Sequence, residues 1–177
     1  MWRDGGFFGR ALSDAHRAVY YSPASAAAHN TLGTVFQALG RRSEARQQYE
    51  RAVALDPTAA YALNNLCYSW VLDRQTAKAI TACRAAIELA PALRAARNNL
   101  GLAYAASGNI EAARQAFAGA GDPATAAYNL GIVQLARQRY IDAVSAFAAA
   151  QQLRPYWRLA AVREQQAEKL AKAGAEE

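Results

Sequence analysis

Two stretches, "ALNNLC" (62–67) and "ARNNLG" (96–101), each place a pair of asparagines, Asn64-Asn65 and Asn98-Asn99, 34 residues apart inside apolar-periodic sequence. Asparagine is a mediocre helix former, because its amide competes for nearby backbone hydrogen bonds. A primary amide both donates and accepts, so a recurring pair at one phase suggests a hydrogen-bonding task. Other residues that could do chemistry are few. His16 and His29 have no acidic or cysteine partner at ligand spacing and read as packing or surface residues, with no metal site. Cys67 and Cys83 are too few for a disulfide framework and read as buried free thiols. "DGGFFG" (4–9) lacks the lysine of a phosphate-cradling loop. The carboxylates are sparse and fall on outer faces or caps. No catalytic residue, metal or cofactor is expected, and the chain does not read as an enzyme.

The elements that must position these residues are helical. Of 177 residues 53% are hydrophobic, many of them alanine, and only 5 are proline. Strand formers never alternate convincingly, which predicts an all-α chain. The formal charge is +6 and the pI near 9.6, but the cations are scattered. Their densest grouping, Arg41-Arg42 with Arg46 and Arg51, reads as a solvated helix face, so no nucleic-acid partner is expected. No apolar run approaches the roughly 18 residues of a membrane helix, and "MWRDGGFFGR" contains no signal core. The sequence predicts no membrane partner and a cytoplasmic location.

Pro23, Pro57 and Pro91 stand 34 residues apart, as do Ala11, Ala45, Ala79 and Ala113, with Ala143 following after 30. Leu32, Leu66, Leu100 and Leu130 form a second column; Gly33, Cys67, Gly101 and Gly131 form a third. An aromatic column runs Trp2, Phe36, Trp70 and Tyr104, and Gln134 breaks it. Downstream, Ala15, Tyr49, Cys83, Phe117 and Phe147 align, as do Ala18, Ala52, Ala86, Ala120 and Ala150. Each period holds two apolar-periodic stretches around a breaker such as "ALGRRS" (38–43). Small residues at Gly33 and Ala45 let two helices approach, and Phe36 and Tyr49 fill the space beside them. Cys67 and Cys83 face that same contact, where a disulfide is geometrically allowed, but their place in packed core favours free thiols. In "LDPT", Asp56 is placed to cap the following helix.

These columns resemble the tetratricopeptide repeat, whose 34-residue helix-turn-helix signature is a known repeat class. The usual tryptophan early in the first helix is replaced by His29, Leu63, Arg97 and Ala127. The resemblance implies a right-handed α-solenoid of at least nine helices, with units at 26–59, 60–93, 94–123 and 124–157. Residues 158–177 read as a polar capping helix with a thin apolar stripe at Leu159, Val162 and Leu170. The third unit is 30 residues long, ending in "GAGDP" (119–123), and a local change in stacking is expected there. Residues 1–25 read as the second half of a truncated repeat that starts after Gly6, with Trp2, Phe7 and Phe8 uncovered. Self-association through this end is expected.

First helices of such repeats line a concave groove. With Leu66, Cys67 and Trp70 pointing inward, the helical phase turns Tyr61, Asn64, Asn65 and Tyr68 toward the groove. The equivalents are Asn30, Thr34 and Gln37 one unit earlier, then Asn98, Asn99 and Leu102, then Tyr128 and Asn129. Asn65, Asn99 and Asn129 form one amide column, while Asn30, Asn64 and Asn98 form another. This ladder is similar to the one in the repeat domains of O-linked N-acetylglucosamine transferases, which holds the backbone of an extended polypeptide; Thr31 departs from it. The cationic carboxylate clamp of chaperone-binding members has no counterpart at these positions. The functional expectation is a non-catalytic scaffold that binds an extended protein or peptide segment. The alternatives are a head-to-tail assembler, or the repeat domain of a glycosyltransferase or of a bacterial pilus or secretion-assembly protein.

Overall fold

The computed structural model describes residues 2–174, with side chains from residue 9 onward. Among the described residues there are ten helices and no strand: α1 (Trp2–Tyr21), α2 (Ala26–Ala38), α3 (Arg42–Leu55), α4 (Ala60–Leu72), α5 (Thr76–Leu89), α6 (Arg94–Ala106), α7 (Ile110–Ala118), α8 (Pro123–Ala136), α9 (Tyr140–Leu153) and α10 (Arg158–Ala173). They fall into two compact units, Met1–Asn99 and Leu100–Glu177. In the first, α1 packs on α2, α2 on α3, α3 on α4 and α4 on α5. In the second, α7 packs on α8, α8 on α9 and α9 on α10.

The periodic breakers do their work through one conformation. Gly40, Arg74, Gly108 and Gln138, one per period, all have positive φ, at 75, 57, 88 and 61°. The N–H of the next residue (Arg41, Gln75, Asn109 or Arg139) then turns back onto the carbonyl of Phe36, Trp70, Tyr104 or Gln134, at 2.9–3.0 Å. This left-handed closure satisfies carbonyls that a helix end leaves open, and it hands the chain to the second helix. Two of the four positions are not glycine, so the register tolerates a strained residue there. At the front of the chain the same break is missing. α1 runs unbroken through Gly5 and Gly6, where the sequence suggests a turn. Two adjacent glycines weaken a helix but do not end it unless a left-handed closure competes. Trp2, Phe7 and Phe8, expected to lie uncovered, fall outside the residues whose side chains are described.

Each helix pair is zipped at one close approach. A Cβ placed on Gly33 would meet a ring carbon of Tyr49 at 2.6 Å, and one on Gly131 would meet Phe147 at 2.6 Å. Gly101 lies against Phe117 in the same way. All three rings are almost wholly buried, so glycine is required by space at these sites. The second period replaces both partners: Cys67 and Cys83 form a disulfide with their Cα atoms 5.2 Å apart. The expectation of free thiols is therefore corrected. Two sulfurs bridge the volume that elsewhere a ring fills, because both cysteines sit at the closest point of two helices.

Two further expectations change in detail. Asp56 does not cap α4. It ends α3, and its carboxylate accepts from the Thr58 N–H at 2.9 Å and the Thr58 hydroxyl at 2.7 Å. The intervening turn uses the carboxylate before the next helix begins at Ala60, whose N-cap position is Ala59. The four-residue deletion of the third period removes the last turn of a second helix. α7 has 9 residues where α3, α5 and α9 have 14. Gly121, with φ 78°, then leads into Asp122 and the Pro123 that opens α8.

Candidate functional site

In the first unit the paired asparagines meet across neighbouring first helices. Asn65 donates from Nδ2 to Asn30 Oδ1 at 2.8 Å, and Asn99 donates to Asn64 Oδ1 at 2.9 Å. Within the pair, Asn64 donates to Asn65 Oδ1 at 3.4 Å. The bonds run from the second asparagine of one period to the first asparagine of the period before, a separation of 35 residues in both cases. Adjacency is what this geometry requires: one amide faces forward along the stack and the other faces back. Each such bond contributes about 0.5–1.5 kcal/mol net. The amides are half-buried. After these contacts Asn65 keeps a second N–H, and Asn30 keeps a second carbonyl lone pair.

The first unit also holds the other residues that the sequence assigns to the peptide face. Tyr61 is 42% exposed, and Tyr68 is half-buried on the same helix. Thr34 and Thr31 turn their hydroxyls back onto the Asn30 and Ala27 carbonyls, at 3.0 and 2.9 Å. Gln37 accepts from the Tyr49 hydroxyl at 3.3 Å. Burial of that phenol raises its pKa above the ordinary tyrosine value, and a hydrogen bond with Thr34 opposes the shift. Asn98 lies on α6 in this unit and is half-buried.

The second unit holds the predicted residues Leu102, Tyr128 and Asn129. Leu102 packs against the cluster of Ala113, Phe117 and Val133. The ring of Tyr128 tilts over Phe147 at 5.6 Å and Trp157 at 4.7 Å, so much of its surface serves the α8–α9–α10 contact. Asn129 is half-buried on α8. In the first unit the distances above link Asn30, Asn64, Asn65 and Asn99, which belong to one run of amide contacts.

The histidines do structural work. His29 is buried, with Nδ1 2.8 Å from Gln48 Oε1 and Nε2 3.0 Å from the Pro23 carbonyl. Arg97, in the same column, reaches the equivalent carbonyl of Pro91. His16 sits edge-on to Phe36 at 5.7 Å. No group of three potential metal ligands occurs among the described residues. Arg46 pairs with Asp73 across α3 and α4 while lying 4.7 Å over the Trp70 ring.

A fold of stacked helix hairpins with one turn geometry and one close-approach column defines a class of repeat protein. The tetratricopeptide repeat profile matches residues 3–60, 30–94 and 73–124, and the chain belongs to that family. Its fold is the all-α tetratricopeptide solenoid. The solved structure of TTC0263, a thermophilic tetratricopeptide repeat protein of Thermus thermophilus, is similar at 21% identity and a TM-score of 0.75, over 93% of this chain and 92% of that one. PilF of Pseudomonas aeruginosa is similar at 20% identity and a TM-score of 0.70, over 97% and 80%. YrrB, described as a tetratricopeptide repeat protein with an unusual peptide-binding site, is similar at 23% identity and a TM-score of 0.67, over 92% and 86%. Among curated proteins no relative matches in sequence. No helix among the described residues is long and apolar enough to cross a membrane.

Proposed function

We propose that the chain is a non-catalytic scaffold that holds an extended polypeptide segment against the first helices of its first unit. The observation that carries this reading is the amide ladder. Asn30, Asn64, Asn65 and Asn99 are held in fixed orientations by one another, yet they keep unused donors and acceptors beside the exposed ring of Tyr61. A row of pre-oriented amides can pair with peptide N–H and C=O groups whatever the ligand's side chains, while the two tyrosines supply side-chain preference. The peptide-binding site named for YrrB lends support by fold likeness. The Cys67–Cys83 disulfide supports work in an oxidising compartment, in place of the cytoplasmic location that the sequence suggests.

The test starts from peptides selected against the full chain from a displayed random library. Changing Asn65 and Asn99 to Ala removes both inter-repeat bonds and two groove amides, so melting temperature and affinity should both fall. Affinity should drop about ten- to a hundred-fold for two lost bonds. Tyr61→Ala with Tyr68→Ala should change the selected sequence preference. A lower melting temperature with unchanged affinity would show that the amides only tie repeats together, and the reading would fail.

A further inference from the structure

The aromatic column marks a second place of interest, on the opposite side of α8 from Tyr128 and Asn129. In the first complete repeat Phe36 is buried, and the Arg41 guanidinium lies 4.6 Å from its ring centroid. Arg41 is itself held by Glu44, with Nε 2.6 Å from the carboxylate. Trp70 is covered in the same manner by Arg46 and Lys78, at 4.7 and 4.4 Å. The last repeat keeps the lid but lacks the ring. Arg139 and Asp142 occupy the register of Arg41 and Glu44 and pair at 2.6 Å, while the column residue beneath them is Gln134.

A cavity of about 620 Å³ opens here between α7, α8 and α9, lined by Phe117, Leu130, Gln134, Arg139 and Ser145 among others. Its volume falls in the range of roughly 300–1,000 Å³ typical of ligand sites. Gln134 is only 8% exposed, and its Oε1 is buried with no hydrogen-bond partner among the described residues. An acceptor taken out of water without a donor is destabilising, and native structures rarely leave one unexplained.

We propose that this cavity receives a tryptophan side chain from a partner polypeptide. The indole supplies, beside Gln134, the ring that Phe36 supplies in the first repeat; the Arg139 guanidinium covers its face, and its N–H donates to Gln134 Oε1 once that buried amide turns into the cavity. Indole meets all three requirements. It supplies the ring that the column lacks at Gln134, a π-face for the cation and a donor for the orphaned carbonyl. Phenylalanine has no donor. The terminal torsion of glutamine is soft, so the carbonyl can turn toward the ring without backbone movement. The cavity opens to solvent on one side, which leaves an exit for the chain bearing the ring.

The probe is N-acetyl-tryptophanamide, titrated into the full chain and followed by amide NMR shifts. Saturable shifts are expected at Phe117, Leu130, Gln134 and Arg139. The analogue methylated on the indole nitrogen should bind at least ten-fold more weakly. Gln134→Phe restores the column and should abolish binding while raising the melting temperature. Gln134→Leu keeps the volume but removes the acceptor, and should weaken binding at least ten-fold. No saturable binding, equal affinity of the methylated analogue, or undiminished binding to Gln134→Phe would each overturn the proposal. Free indole binding more tightly than the amide would overturn the polypeptide source.

Discussion

Replacing Cys67 and Cys83 separates two ways of holding a helix pair together. The bridge closes a loop of 16 residues. In the chain-entropy account, removing it restores about 3 kcal/mol of conformational freedom to the unfolded chain. In a protein of 177 residues each kcal/mol shifts the melting temperature by about 2–4 °C, so reduction should lower it by about 6–12 °C. Cys67→Ala with Cys83→Ala should melt at or below the reduced wild type, because it loses the bridge and leaves a small void. Cys67→Gly with Cys83→Phe installs the pair that the other periods use, as at Gly131 and Phe147. A fully buried phenylalanine contributes about 1.5–3 kcal/mol. That variant should recover most of the loss and should ignore reductant. The assay is thermal unfolding by circular dichroism with and without dithiothreitol, alongside thiol titration of the unfolded, unreduced protein, which should find no free thiol. A wild-type melting curve indifferent to reductant, or a Gly/Phe variant no more stable than the double alanine, would refute the reasoning.

Two other outcomes follow from local geometry. Arg74→Gly and Gln138→Gly relieve left-handed backbone at φ 57 and 61°, and chemical denaturation should show each raising stability by about 0.5–1 kcal/mol. The Asp122 carboxyl is held below its ordinary pKa, first by the Thr125 hydroxyl at 2.5 Å and further by Arg154 at 2.9 Å. A lowered folded-state pKa gives stability that is present above the unfolded value, near 4, and lost as pH falls through the folded value. Asp122→Asn should therefore flatten the acid limb of the stability–pH curve and leave its high-pH side parallel to that of the wild type.

The fold was legible because the same side-chain classes return in fixed columns, and each column has one packing duty. Gly33, Gly101 and Gly131 mark the close approach, while Tyr49, Phe117 and Phe147 mark the ring that rests on it. The disulfide was harder to read. A lone cysteine in a packed column looks like a small apolar residue, and only the exchange of both members of the Gly–ring pair signals a bridge. The broken aromatic column was visible at Gln134, but its consequence was not: a cavity depends on whether neighbours close over a missing ring, and here α7 is a turn short. Asp56 misled because a carboxylate before proline can serve either the helix ahead or its own turn, and Thr58 decides between them.

The asparagine pair shows why a residue column and a hydrogen-bond ladder are different objects. Sequence registers equivalent residues, which suggests that like stacks on like: Asn30 over Asn64, and Asn65 over Asn99. The hydrogen bonds instead join positions 35 apart, one period plus one residue, because successive first helices are offset enough that a forward-facing amide meets the backward-facing neighbour of its counterpart. A single asparagine per repeat could not both accept from the next helix and donate to the previous one in these orientations. The pair therefore offsets its poor helix propensity by bracing the stack at each step. The same bracing fixes the amides that remain available to a ligand, so in the proposed peptide face stability and recognition draw on the same side chains.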